Sequence, residues 1–334
     1  MPATFTSTSA VDLAVLERNG FIESRHIGSA VVLAADGSTV TELGDVHAPI
    51  FPRSTLKPFQ ALAAMQSGVP LRGAQVALAA ASHVGSREHM DVVESMLTAA
   101  GVTEDDLQCP PDWPQDEEAR NWLLTTGQGR RRLAFNCSGK HAAFLWACTE
   151  NSWDTKTYLD RDHPLQKRIA EVIEEYTGEQ VQHWAVDGCG APLGAVSLTG
   201  LARGIGRIAK APGDKNADAR AATVATAMLD YPWAVHGRGR ENSVVMEDLG
   251  IIAKNGAEGV LVMAAPNGVS MALKMLDGNI RATTLVGLTL LAASGALDAE
   301  AVAPVLEKVV QPVLGGGVPV GKLRLAAPVM ALLD

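Results

Sequence analysis

Three two-residue turn signals, Asp36-Gly37, Asn267-Gly268 and Asp277-Gly278, stand near the two ends of this chain beside β-rich runs. Asp-Gly and Asn-Gly favour the positive φ angles that a tight hairpin needs. Ser29 to Leu33 and Ser38 to Leu43 flank the first signal, and Val260 to Ala265 and Val269 to Met275 flank the second. Between the ends the chain reads mostly helical, from about residue 86 to 230. Glu88 to Leu97, Leu165 to Tyr176 and Ala217 to Leu229 carry apolar residues at helical spacing. Two more helices are expected over Arg281 to Ala293 and Ala299 to Val309, and Val76 to Ala80 reads as a buried strand or short helix. Strands at both termini around a helical middle predict an α/β (α+β) fold with one antiparallel sheet built from both chain ends. The expected organisation is a single domain over 1–334, with a sheet part near 1–85 and 235–334 and a helical part near 86–234.

Composition narrows the partners. The 334 residues are 47% hydrophobic and 19% charged, which is ordinary for a soluble globule. Only 4% are aromatic, so packing must rest on Ala, Val and Leu. A formal charge of −9 argues against general binding to nucleic acid or to an anionic membrane. Arg130-Arg131-Arg132 and Arg238-x-Arg240 are too short to form a polyanion site. The first twenty residues hold Asp12, Glu17 and Arg18 and no apolar signal core. The most apolar stretch, Val286 to Leu297, is short and is interrupted by Thr289, Ser294 and Gly295. Four cysteines do not make a disulfide framework. A cytoplasmic location is expected, where thiols stay reduced and available to metal.

Five spots can carry chemistry. Ser54 precedes Lys57 by three residues, just before the apolar helical run Phe59 to Met65, which places both side chains on one helix face. A neutral lysine there can take the serine proton. The plain alternative is a helix-start serine with a solvated lysine one turn in. Ser82, within Ala81-Ser82-His83-Val84-Gly85, ends an apolar run and reads equally as a site hydroxyl or as a cap for the helix at Arg87 to Leu97. Asn136-Cys137-Ser138-Gly139-Lys140-His141 is the densest reactive cluster and leads into the apolar helix Ala142 to Cys148. Asp187-Gly188-Cys189-Gly190-Ala191-Pro192 holds a thiol between two glycines. Cys137, Lys140 and Cys189 therefore offer two thiolates and an amine to zinc, leaving one position for water; Cys109 and Cys148 read as inert. Last, Lys254-Asn255-Gly256 precedes the Val260 strand. In serine β-lactamase-like enzymes a Lys-x-Gly triplet on a strand borders the catalytic serine and orients the substrate, the place expected here for Lys254 and Gly256.

Taken together these motifs resemble one family, the rhizobial-type (class 3) L-asparaginases, over most of the chain. The resemblance runs from Arg18-Asn19-Gly20 and Glu23-Ser24-x-His26 to Asp277-Gly278-x-x-Arg281-Ala282. It rests on Pro52-Arg53-Ser54-x-x-Lys57-Pro58, Ala81-Ser82-His83, the Asn136 to His141 cluster, Asp187-Gly188-Cys189-Gly190-x-Pro192 and Lys254-x-Gly256-Ala257-Glu258-Gly259. The acidic, proline-broken loop from Cys109 to Glu118 and the Thr126 to Arg132 stretch depart from the family's usual approach to Asn136. The resemblance implies a serine β-lactamase/glutaminase-like fold, a homodimer, and hydrolysis of L-asparagine to L-aspartate and ammonia. It also implies two Ser-Lys pairs, Ser54 with Lys57 and Ser82 with Lys254. Zinc is implied on Cys137, Lys140 and Cys189, with Asp187 close by in a supporting role.

On that basis Ser54 is expected to attack the amide carbon while Lys57 takes its proton. Ser82 is expected to relay protons or to be the nucleophile itself. Arg53 and His141 are candidates for holding the substrate's α-carboxylate or other polar groups, and Arg240 is a lesser one. Two rival readings remain. A β-lactamase-like or penicillin-binding hydrolase, or a glutaminase, would share Ser54, Lys57 and Lys254. A non-catalytic, zinc-stabilised binding protein would need the cysteines alone.

Overall fold

The computed structural model describes residues 2–333. Ten strands form: β1 (Val11–Arg18), β2 (Phe21–Leu33), β3 (Thr39–Leu43), β4 (His183–Val186), β5 (Pro192–Ala195), β6 (Ile252–Gly256), β7 (Val260–Ala264), β8 (Ser270–Met275), β9 (Val313–Gly315) and β10 (Val318–Leu325). Eight of them make one antiparallel sheet in the order β6-β7-β8-β2-β1-β10-β9, with β3 also paired to β2. The sheet is assembled from both chain ends, as expected. Its seam is β2, which pairs with β1 over Phe21 to Gly28 and with β8 over Gly28 to Leu33.

The three anticipated turns are present, with Gly37, Gly268 and Gly278 all at positive φ. Two hairpins were not anticipated. Asn19 and Gly20, at φ 48 and 82, close β1 onto β2, and Gly316-Gly317 close β9 onto β10. Both use the left-handed pair that a two-residue hairpin requires. The small β4–β5 hairpin lies inside the helical middle.

The strands β7 and β8 are buried at every position, so both sheet faces must be covered. One face takes α1 (Leu198–Lys210), whose Gly206 comes up against Ser270. The other takes α2 (Thr283–Ala293), whose Gly287 comes up against Leu261, Met263 and Met271. Ser270 and Met271 point to opposite faces because side chains alternate along a strand. Pro164–Thr177 packs on α1, Lys57–Gln66 packs on Pro164–Thr177, and Ser138–Glu150 and Arg87–Ala100 extend the same continuous apolar core. Val76 to Ala80 resolves as a short helix, Ala74–Ala79. No helix among the described residues is long and apolar enough to cross a membrane.

Close strand approach makes Gly28 a sensitive position, because a β-carbon there would lie 2.2 Å from the Lys274 carbonyl oxygen. Gly28→Ala is expected to destabilise the protein by about 1–3 kcal/mol, the ordinary penalty for overpacking. Denaturant unfolding checks this, and an unchanged midpoint would show that the seam can open without cost.

Candidate active site

The Ser54 turn is built by its flanking residues. Pro52 precedes a single 3₁₀ turn over Arg53–Leu56, and the α-helix Lys57–Gln66 follows with Pro58 in its first turn, where a missing N–H costs nothing. Thr55 Oγ1 donates to the Pro52 carbonyl at 2.8 Å. Strand β6 lies flush against this turn because Gly256 has no side chain; a β-carbon there would sit 2.7 Å from the Pro52 oxygen. Gly256 thus sets the distance between the serine turn and the strand that carries Lys254.

Arg53 and Glu258 both adopt left-handed backbone, φ 55 and 60, which non-glycine residues adopt rarely and at a cost of roughly 1–3 kcal/mol. They face each other across the site entrance, Nη1 to Oε1 3.8 Å. The Arg53 Nε also donates to Asp187 Oδ1 at 2.7 Å. Asp187 heads the turn that carries Cys189, so this ion pair ties the serine turn to the thiol turn.

At the centre is Ser82. Lys57 Nζ donates to its Oγ at 2.9 Å and Lys254 Nζ at 2.8 Å. Lys57 also reaches the carbonyls of Ala81 and Asn136, and Lys254 reaches the Asn255 carbonyl at 2.7 Å. Both lysines are 0% exposed, and neither has a carboxylate partner among the described residues. Burial and the Lys57 charge hold the Lys254 amine well below the ordinary lysine range. Ser82 itself is fixed by backbone pairing, its N–H to Val235 O at 2.9 Å, with Val84 N–H to His236 O at 2.9 Å. The two lysines converge on one hydroxyl where two separate pairs were expected. The Ser54 hydroxyl makes no hydrogen bond among the described residues and stays half-buried. Ser82 does not cap the following helix: Ser86 does, through His89.

A second cluster adjoins the first. Cys137 and Lys140 stand at the start of the helix Ser138–Glu150, and Lys140 Nζ lies 3.0 Å from Cys189 Sγ. Gly139 lets this helix start press onto the Leu78 carbonyl, 2.5 Å from where a β-carbon would sit. Cys137 and Cys189 compete for one proton. Sharing of the Cys137 proton, helped by the Lys140 charge, favours the Cys189 thiolate, and the same sharing and burial raise Cys137. Burial opposes the Lys140 charge, yet the two sulfurs hold it above the usual lysine range. The Lys140 ammonium therefore supplies the positive charge that a metal would bring. Asp187 Oδ2 is 3.9 Å from Cys189 Sγ. Burial pushes the Cys109 and Cys148 thiols up to about 12, which keeps them protonated.

The described residues hold no group of three or more His, Cys, Asp or Glu side chains placed for a metal ion. The two thiols of Cys137 and Cys189, however, converge with the Lys140 amine. His141 is fully buried beside them, with Nδ1 2.8 Å from the Tyr158 hydroxyl and Nε2 lacking an ordinary hydrogen-bond partner. The donor set fits a soft divalent ion once Lys140 sheds its proton. His141 is thus placed with the thiols, and Arg240 is exposed at the start of the helix Glu241–Leu249. Sequence reasoning overlooked Tyr158 and His236. A single tyrosine in a loop gives no signal, whereas His236 heads the sequence His236-Gly237-Arg238-Gly239-Arg240, whose glycines mark a sharp turn.

Solved structures resemble the chain at low identity. They include a protein titled Mglu in its native form (15% identity, TM-score 0.46), of which this chain covers 65%, less than two thirds, while 81% of this chain is covered. A Bacillus glutaminase matches at 14% identity and TM-score 0.36, over 81% of this chain and 92% of that one. A beta-lactamase from Mycobacterium bovis matches at 13% identity and TM-score 0.36, over 79% and 94%. A comparison with curated proteins gives no match. The model of the L-asparaginase II family matches residues 14–325, nearly the whole chain and every cluster described above, and the chain belongs to that family.

Proposed function

We propose that this protein hydrolyses the side-chain amide of L-asparagine to L-aspartate and ammonia through an acyl-enzyme. The observation that carries the reading is the Ser82 hydroxyl held between two carboxylate-free buried lysines, 2.9 and 2.8 Å away, one of which, Lys57, follows the uncommitted Ser54 by three residues. Burying lysines without carboxylates is costly, and a binding scaffold has no use for it. Proton transfer does.

Ser54 is the nucleophile because its hydroxyl is uncommitted, whereas that of Ser82 is already engaged by both amines. Lys57 hands a proton to Ser82 as Ser82 passes its own to Lys254, and the Lys57 amine, freed of that proton, takes the one from Ser54 as Ser54 Oγ bonds to the amide carbon. The proton stored on Lys254 returns along the same path to the amide nitrogen, the C–N bond breaks, and ammonia leaves. Water then attacks the ester carbon and gives its proton to the relay, the relay returns that proton to Ser54 Oγ as the acyl–oxygen bond breaks, and L-aspartate leaves. The positive φ of Arg53 fixes the direction in which Ser54 enters the site.

Cys137, Lys140 and Cys189 would hold zinc, and Asp187 would steady them. Bound there, the ion supplies positive charge in place of the Lys140 ammonium and clamps the Cys189 turn to the helix start. The nucleophile is still Ser54.

Ser54→Ala is expected to abolish ammonia release from L-asparagine with little loss of stability. Lys57→Met and Ser82→Ala should each lower kcat roughly 10²–10⁴-fold, as loss of acid–base help does. Near-parental release by Ser54→Ala would move the nucleophile to Ser82. Glutamine and a β-lactam assayed alongside decide between the rival hydrolases.

The pH dependence follows from Lys254, which must be neutral to accept a proton. Its depressed folded-state pKa means that activity is lost as pH falls through that value and is already high below the ordinary lysine range. Lys254→Arg, charged throughout, should stay inactive up to pH 10. A parent profile that peaks in acid would require a carboxylate base instead.

Metal analysis checks the thiol cluster. Protein purified without chelator should carry zinc, and its occupancy should fall as pH drops because Lys140 must deprotonate to bind. A Cys137→Ser, Cys189→Ser double variant should carry none. Equal zinc in both proteins, or none in the parent, removes the site.

A further inference from the structure

The turn from His236 to Arg240 is built more rigidly than a surface loop needs. The His236 carbonyl accepts from Val84 N–H at 2.9 Å, two residues beyond Ser82. Gly237, at φ 145, presses onto Val84, where a β-carbon would come within 2.7 Å of Cγ2. Its N–H reaches Ser243 Oγ at 3.3 Å, and Arg240 N–H closes the turn on the Gly237 carbonyl at 3.1 Å. The turn is thereby locked to the segment that carries Ser82.

Two polar groups on this turn have no partner among the described residues. His236 Nδ1 is buried and makes no hydrogen bond to any of them. A buried imidazole nitrogen left unpaired is costly, and such groups ordinarily find a partner. Arg240 makes no ion pair among the described residues, although Glu241 follows it directly. Burial first, then the basic side chains around it, Lys254, Arg240, His89 and Lys57, pull the pKa of the His236 ring down to about 3, so the ring is neutral and one nitrogen keeps a hydrogen to donate. Its neighbours His83 and His89 are already committed, to Ser138 Oγ at 3.0 Å and to the Trp233 carbonyl at 2.9 Å.

We infer that His236 and Arg240 form the clamp for the substrate's α-carboxylate, His236 Nδ1 donating one hydrogen bond and Arg240 supplying the opposite charge. This deepens the proposed reaction and rests on it. An amino-acid amide needs an anion site a few ångströms from the reacting carbon, and an unpaired donor beside an uncompensated arginine matches that need. The clamp makes His236 a positioning residue and Arg240 a specificity residue, and neither enters the proton relay.

The test compares L-asparagine with β-alaninamide, the same amide without the α-carboxylate. The parent should favour L-asparagine strongly in kcat/KM. His236→Leu and Arg240→Leu should each reduce that preference roughly 10–100-fold, the worth of one hydrogen bond to a charged group. The loss should fall mainly on the KM for L-asparagine. His236→Asn, which keeps a donor near the Nδ1 position, should recover part of it and guards against a His236→Leu variant that fails to fold. If both rates fall together, or if Arg240→Leu and His236→Asn keep the parental preference, the clamp is refuted while the reaction stands. A parent that releases no ammonia from L-asparagine but hydrolyses β-alaninamide refutes both.

Discussion

Two buried lysines share one hydroxyl, and the rest of the structure is arranged to make that tolerable. Removing an ammonium group from water costs several kcal/mol unless donors and neighbours compensate. Here the compensation comes from backbone carbonyls of Ala81, Asn136 and Asn255 and from Ser82. The remaining strain falls on Lys254, whose amine burial and the Lys57 charge hold well below the ordinary lysine range. Each lysine needs a rigid support, one on the helix Lys57–Gln66 and one in the middle of β6. The sheet that buries β6 is closed by strands from the opposite end of the chain.

One route between the serine centre and the thiol centre runs through an ion pair. Ser54 follows the strained Arg53, Arg53 binds Asp187, and Asp187 heads the turn that presents Cys189 to Lys140. A change of charge among the sulfurs, whether by protonation or by a metal, would reach the Ser54 turn through that ion pair. The partly buried Arg53–Asp187 contact, with a charged hydrogen bond of 2.7 Å, is the kind of pair that holds geometry better than an exposed one.

Much of the fold was legible in the sequence because its signals are local. Asp36-Gly37 and Asn267-Gly268 force hairpins through backbone sterics alone, and the amphipathic runs at Glu88 to Leu97 and Leu165 to Tyr176 became helices within a residue or three of expectation. β1 and β10 were not read, although Asn19-Gly20 and Gly316-Gly317 carry the same kind of turn signal. Their flanking runs include charged residues such as Glu17, Arg18, Lys322 and Arg324, which dilute the alternation. Ser82 as a helix cap failed because Ser86 stands closer to the helix start.

The sequence by itself singled out the residues that the fold gathers: Ser54, Lys57, Ser82 and Lys254 as candidates for one cluster, and Cys137, Lys140 and Cys189 for the other. Short spacings and motif order convey residue type and chain neighbourhood. How these groups pair is a different matter. Ser54 and Lys57 are three residues apart, yet the Lys57 amine turns to a serine 25 residues away, and Lys254 arrives at the same oxygen from 172 residues along the chain. Those distances are set by the sheet seam and by the glycine contact of β6 with the Pro52 turn. Only the tertiary structure brings them to one hydroxyl, because side-chain partners are chosen by packing in three dimensions and not by separation along the chain.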